Sequence, residues 1–94
     1  MTDRDRDAQA RFGANVEEQR RRRGLSVDSL AERSQLGQDE LAGILSGELE
    51  ARAEAVYLLA GALGVDPGDL FSGMSWVPPA DGGSGYVVDE PKRR

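Results

Sequence analysis

Cysteine and histidine are both absent from the chain. Without thiols there can be no disulfide, no thiol nucleophile and no Cys/His zinc site. Without imidazole there is no base for a serine–histidine–aspartate triad. A thiol-free chain suits a reducing compartment. No apolar run approaches the ~20 residues that cross a bilayer. The first seven residues, M-T-D-R-D-R-D, lack the apolar stretch of a signal peptide. A soluble, cytoplasmic protein without membrane contact is expected. Cations are also scarce relative to anions: 12 Lys and Arg stand against 17 Asp and Glu, a net charge of −5. Phosphate contacts supply much of the affinity for nucleic acids, so any such binding must rest on a local basic face rather than on the total.

With 94 residues there is one domain's worth of chain. A domain of this size buries roughly 60–65% of its unfolded surface, a thin core. That leaves little room for an enzyme pocket. No base–nucleophile pair is visible, and Gly82-Gly83-Ser84-Gly85 is followed by no Gly-Lys-Ser/Thr, so it is a linker rather than a phosphate loop. Neither a catalytic residue, a metal nor a cofactor is expected.

What is present reads as helices. Residues 1–7 alternate charge with nothing to bury and are expected to form a mobile arm. Ala8 to Arg23 has Phe12, Val16 and Gln19/Arg20 at helical spacing. It closes on Arg20 to Arg23 and then Gly24, cations and a glycine where a helix C-terminus favours them. Ser26 is a good N-cap for a short second helix with Val27, Leu30 and Ala31 on its apolar side, ending near Ser34. Gln35-Leu36-Gly37 is a three-residue turn. A third helix begins Gln38-Asp39-Glu40, carries Leu41, Ile44 and Leu45, and stops at Gly47.

Arg52 to Leu63 is a strongly amphipathic fourth helix closed by Gly64. Asp66-Pro67-Gly68-Asp69 opens a short fifth helix ending at Leu70-Phe71. From Ser72 onward prolines and glycines break the pattern. The expected organisation is therefore an arm (1–7), a helical domain (8–72) and a tail (73–94). In the tail, Trp76 either docks on the helical body or contacts a second copy. Tyr86, Val87 and Val88 either add a strand to another chain or form an unpaired end.

Gly24 through Gly47 has the layout of a helix-turn-helix: a short helix, a tight turn, and a second helix held proud of the body. Ala31 is small where the two helices approach, and Leu36 plugs the turn. At these residues the chain resembles the lambda-repressor-like, or XRE-type, transcription regulators. The resemblance runs without gaps from Phe12 to Phe71. It is carried by Phe12-Gly13, Val16, Arg20, Gly24-Leu25-Ser26, Leu30-Ala31, Leu36, Leu41, Ile44 and Gly47. It continues with Ala60, Ala62-Leu63-Gly64-Val65, Pro67 and Leu70-Phe71.

The resemblance implies a compact all-α, five-helix DNA-binding domain with a short extended C-terminal tail. It implies a dimer that reads double-stranded DNA with the helix at about 38–46. In that family the start of the third helix reads bases, here Gln38, Asp39 and Glu40, and a later groove-facing position is Gly43. Phosphate contacts would fall to Ser26 and Val27, and to Ser46, Glu48 and Leu49 after the helix, with Arg52 and the N-terminal Arg4 and Arg6 in reach.

The departures bear on charge. Val27 replaces a frequent glutamine, Gly37 a Ser or Thr cap, and Glu48 and Glu50 a basic loop. Leu45 stands where a glutamate commonly pairs with the helix 1 arginine, which would leave Arg20 without that partner. From Leu36 to Glu54 five carboxylates face one guanidinium, a net of −4. Two like charges ~6 Å apart at an effective dielectric of ~20 repel by roughly 3 kcal/mol. A sequence-specific DNA-binding regulator is the first expectation. The alternative is a helix-turn-helix scaffold whose acidic face binds a protein partner.

Overall fold

In the computed structural model residues 3–77 and 85–89 are described, with side chains described over 6–75 and 88–89. Four α-helices follow one another: α1 (Asp3–Arg22), α2 (Val27–Ser34), α3 (Gln38–Ser46) and α4 (Ala53–Leu63). A single 3₁₀ turn, η1 (Pro67–Phe71), and two strands, β1 (Met74–Val77) and β2 (Gly85–Val88), complete the chain.

The boundaries of α2, α3 and α4 follow from their caps. Ser26 is extended and its hydroxyl accepts the Ser29 N–H at 3.0 Å. Gly47 and Gly64 close α3 and α4 at φ 83° and 71°, and their N–H groups return to the last-turn carbonyls. A residue with a Cβ is strained in that conformation.

Three expectations change. α1 begins at Asp3, inside the segment expected as an arm. Nothing from Asp3 to Asp7 breaks a helix, arginine is a good helix former, and acids in a first turn suit the dipole. The fifth helix is a 3₁₀ turn rather than an α-helix. Asp66 and Asp69 form a capping box around it, but five residues hold little more than one turn. The tail is no lone extended end either. Residues 85–88 pair antiparallel with 74–77 of the same chain, Met74 opposite Val88 and Trp76 opposite Tyr86 in register. The side chains of Trp76, Tyr86 and Val87 lie outside the described residues, as do those of Arg4 and the segment 78–84.

The core is one cluster in which all four helices and η1 meet. Leu30, Leu41, Ile44, Leu59, Leu70 and Val16 are fully enclosed, and Phe12, Ala31, Leu36, Ala55, Val56, Ala60 and Leu63 complete it. The Phe12 and Phe71 rings meet at 5.1 Å, tilted by 49°, and fasten η1 to α1. Asn15 donates to the carbonyls of Leu70 and Ser72 at 3.0 and 2.9 Å, and Arg11 to Ser72 at 3.3 Å, so α1 also holds the entry to the hairpin. Gly13 brings α1 against the end of α3: a Cβ there would run into the carbonyl oxygens of Ile44 and Leu45.

Two glycine substitutions should therefore shift stability in opposite directions. Gly13→Ala forces α1 and α3 apart and should lower unfolding stability by ~1–3 kcal/mol. Gly61→Ala lies on the exposed side of α4 with nothing near its Cβ and should raise it by up to ~1 kcal/mol. Urea unfolding of the two variants measures both.

Candidate nucleic-acid interface

The turn that presents α3 is built from three residues with different tasks. Gln35 ends α2 in the left-handed region at φ 63°, the only described residue other than glycine with positive φ. Leu36 is buried and fills the space beneath the turn. Gly37 leads into α3 without a side-chain cap. The N–H groups of Gln38, Asp39 and Glu40 therefore have no acceptor among the described residues, and they stand at the positive end of the helix dipole. Ser34 locks this arrangement from inside. Fully buried, its hydroxyl lies 2.7 Å from the Leu30 carbonyl and accepts the Leu36 N–H at 3.4 Å.

Gln38 and Asp39 are exposed, as are Ala42 and Ser46 further along α3. Gln38 is tethered: its amide donates to Asp28 on the first turn of α2 at 3.0 Å. This bond ties the starts of α2 and α3 together and orients the amide beside an open cleft between Asp28, Glu32, Leu36 and Gln38. Glu40 is taken up by Arg52, 3.1 Å away, which also lies 3.8 Å from Glu54. The one cation between Leu36 and Glu54 thus stands directly against one of the two acids in the first turn of the presented helix. Asp39 and Glu50 have no partner among the described residues.

Gly43 does not face open space. It is half-buried under Leu49, and a Cβ there would overlap that side chain. The cause is the loop after α3, which folds back so that the N–H groups of Glu48 and Leu49 both donate to the Gly43 carbonyl, at 2.9 and 3.0 Å. The Ser46 hydroxyl has two acceptors at 3.1 Å, the Gly43 carbonyl and the Glu48 carboxylate, which engage its single proton. Ser26 and Val27 remain exposed at the start of α2, Val27 at 37%. The structure thus brings Ser26, Val27 and Gln38 to one side of the molecule through the Gln38–Asp28 bond. Gly43 is covered, Ser46 is engaged locally, and Arg52 is bound to Glu40.

The basic end of α1 is not a free cluster. The Arg20 side chain is 17% exposed and grips Glu17 with two bonds, Nε at 2.9 Å and Nη2 at 2.5 Å, while Nη1 donates to the Leu25 carbonyl. Arg20 has a partner despite Leu45, supplied by its own helix. Arg21 also reaches Glu17, at 3.1 Å, and Arg22 reaches Glu18, at 2.6 Å. Hydrogen bonding from Arg20 holds the Glu17 carboxyl below the usual carboxylate range, and the same bond raises the Arg20 guanidinium. Sequence reasoning passed over Glu17, although its i,i+3 and i,i+4 spacing to Arg20 and Arg21 is a visible signal. Asp28 carries no comparable signal, because its partner Gln38 lies across the turn, and nothing in the local pattern marks Ser34 as buried.

The model for the family described as "Helix-turn-helix domain" matches residues 11–71. No curated protein matches the chain. Among solved structures, the restriction-modification controller protein C.AhdI from Aeromonas hydrophila is 32% identical, with a TM-score of 0.65 over 67% of this chain and 96% of that one. The clp gene regulator ClgR from C. glutamicum is 25% identical, with a TM-score of 0.64 over 67% and 82%. The controller protein C.Esp1396I, solved as a tetramer in complex with its natural 35 base-pair operator, shares the fold at 19% identity, with a TM-score of 0.63 over 68% and 84%. The chain belongs to the helix-turn-helix family of XRE-type regulators.

The Glu17–Arg20 pair sets a pH dependence. A carboxyl whose folded pKa is lowered contributes stability above its unfolded value and loses it as pH falls through the folded one. Glu17→Gln should cost about 1 kcal/mol at neutral pH, the upper end for a partly exposed pair. It should also flatten the decline of stability below the ordinary carboxylate range. Urea unfolding across the acid range compares the two proteins.

Proposed function

We propose that this protein is a sequence-specific, double-stranded DNA-binding transcription regulator of the cytoplasm, acting as a dimer. The observation that carries this reading is the presentation of α3. Its first turn stands clear with unpaired N–H groups and an exposed Gln38, and the carboxylate nearest that turn's end is bound by Arg52. C.AhdI and ClgR, a controller protein and a gene regulator by name, support the regulatory part.

In the proposed complex the N-terminal half of α3 enters the major groove. Gln38 hydrogen-bonds a base edge, an arrangement suited to adenine. Its Nε2 gives one N–H to Asp28 and keeps the second, with Oε1, for a bidentate contact. Asp39, ahead of Glu40 on the exposed side, accepts from a cytosine N4. Ser26 and Val27 at the N-terminus of α2 lie along the phosphates, and Ser46 and Arg52 flank the other end. A dimer with two such helices reads half-sites about one turn, ~34 Å, apart. Trp76, Tyr86, Val87 and Val88, in or beside the hairpin, are the proposed source of the dimer contact. Acids left unpaired at Asp39 and Glu50 keep the affinity modest, and the phosphate contacts make it dependent on salt.

Fluorescence anisotropy against duplexes tiled across the chain's own promoter region tests the reading. One duplex with two-fold symmetry is expected to bind well above the others at ~50 mM salt, and binding to none would contradict it. On the preferred duplex, Gln38→Ala should cost ~1–3 kcal/mol and relax the preference at one base pair. Glu48→Lys with Glu50→Lys should tighten binding to every duplex and steepen the salt dependence, by up to ~0.9 in slope per added phosphate contact.

A further inference from the structure

We infer that the outer edge of β1 pairs with β1 of a second copy, antiparallel and two-fold symmetric about Ser75, joining two hairpins into one four-stranded sheet. This rests on the dimer reading above and assigns its interface. β2 is the strand that lies against α1, while β1 has β2 as its principal neighbour. The Asp89 N–H donates to the Gly73 carbonyl at 2.8 Å. In an antiparallel ladder, hydrogen-bonded and non-hydrogen-bonded pairs alternate. With the register of the hairpin, that bond fixes the direction of every backbone group in β1. Gly73, Ser75 and Val77 turn their N–H and C=O toward β2, and Met74 and Trp76 turn theirs away.

Those four outward groups have no partner among the described residues. An open edge invites pairing, and proteins blunt such edges with charge, proline or a bulge. β1 reads Met-Ser-Trp-Val, uncharged and without proline, and its register with β2 is continuous.

The outward groups are complementary to themselves. With Ser75 opposite Ser75 of a second copy, Met74 of each chain faces Trp76 of the other, and four N–H···O=C bonds satisfy all four groups on both chains. Centring instead on Trp76 sets Met74 opposite Pro78 where a donor is needed, and proline has none; centring on Met74 sets Trp76 opposite Ser72, which lies outside β1. A second copy is also compatible with the charge. Each chain carries −5 and copies repel elsewhere, whereas β1 itself carries no charge, and the Asp89 carboxylate beside it is held by the Ser75 hydroxyl.

Ser75→Cys tests the pairing in the full chain, which has no other cysteine. Across the proposed two-fold the two Cα atoms lie about 4.5 Å apart as a non-hydrogen-bonded pair, within disulfide reach. Under mild oxidation most of the Ser75→Cys protein should run as a linked dimer on a non-reducing gel, and Glu32→Cys on exposed α2 should not. Sedimentation should find wild type dimeric and Ser75→Glu monomeric with an unchanged helical circular dichroism spectrum, since two glutamates, each beside an Asp89 carboxylate, would face each other across the seam. A wild-type dimer whose Ser75→Cys form does not cross-link overturns the strand pairing and leaves dimerisation standing. A wild-type monomer at all concentrations overturns both. Neither result touches DNA binding, which the anisotropy titration reads separately.

Discussion

The close approach of α1 to the end of α3 is the contact on which the rest depends. Gly13 lets the α1 backbone rest against the Ile44 and Leu45 carbonyls, and Gly47, in the left-handed region, turns the chain away against Ala10. With its C-terminal end fixed there, α3 projects its first turn outward. Leu36 and Ser34 then hold the turn before it, and the Gln38–Asp28 bond ties the two helix starts. A shift at Gly13 would propagate to each of these, because a close-packed interior has few voids to absorb it.

Electrostatics is handled locally. The chain has a surplus of acid, and five carboxylates surround the presented helix. Arg52 stands against Glu40 and Glu54, and Ser46 hydrogen-bonds Glu48, so three of the five are engaged. At the end of α1 Glu17 and Glu18 occupy Arg20, Arg21 and Arg22. Arg20 serves more as a brace between α1 and the Leu25 carbonyl than as a contact for an outside anion. Pairing leaves the net charge from Leu36 to Glu54 at −4 but sets a guanidinium against Glu40, so Asp39 is the one carboxylate in the first turn of α3 without a partner among the described residues.

Much of this was legible because it is local. Ser26, Gly47 and Gly64 mark helix ends by chemistry that operates within four residues, and the start of α2 and the stops of α3 and α4 fall where those residues place them. The arm misled because alternating charge reads as solvated chain, yet it contains no breaker and extends α1 to Asp3. η1 was placed correctly but assigned the wrong helix type. The hairpin was hidden since each strand's partner lies across a proline- and glycine-rich stretch, and Asn15 and Arg11, which anchor its entry, are more than fifty residues away in sequence. The exposed place of Gln38 at the start of α3 was legible from the turn before it, whereas the cover over Gly43 depends on a loop returning through two backbone bonds that no side-chain pattern announces.

As proposed above, the first turn of α3 and the start of α2 form the surface that meets DNA. Backbone amide NMR during titration with the preferred duplex reads this contact residue by residue. The largest shifts should gather at Ser26, Val27 and Gln38 to Glu40, with little change along α4. Shifts confined to the end of α1 or to the hairpin, with α3 silent, would contradict it.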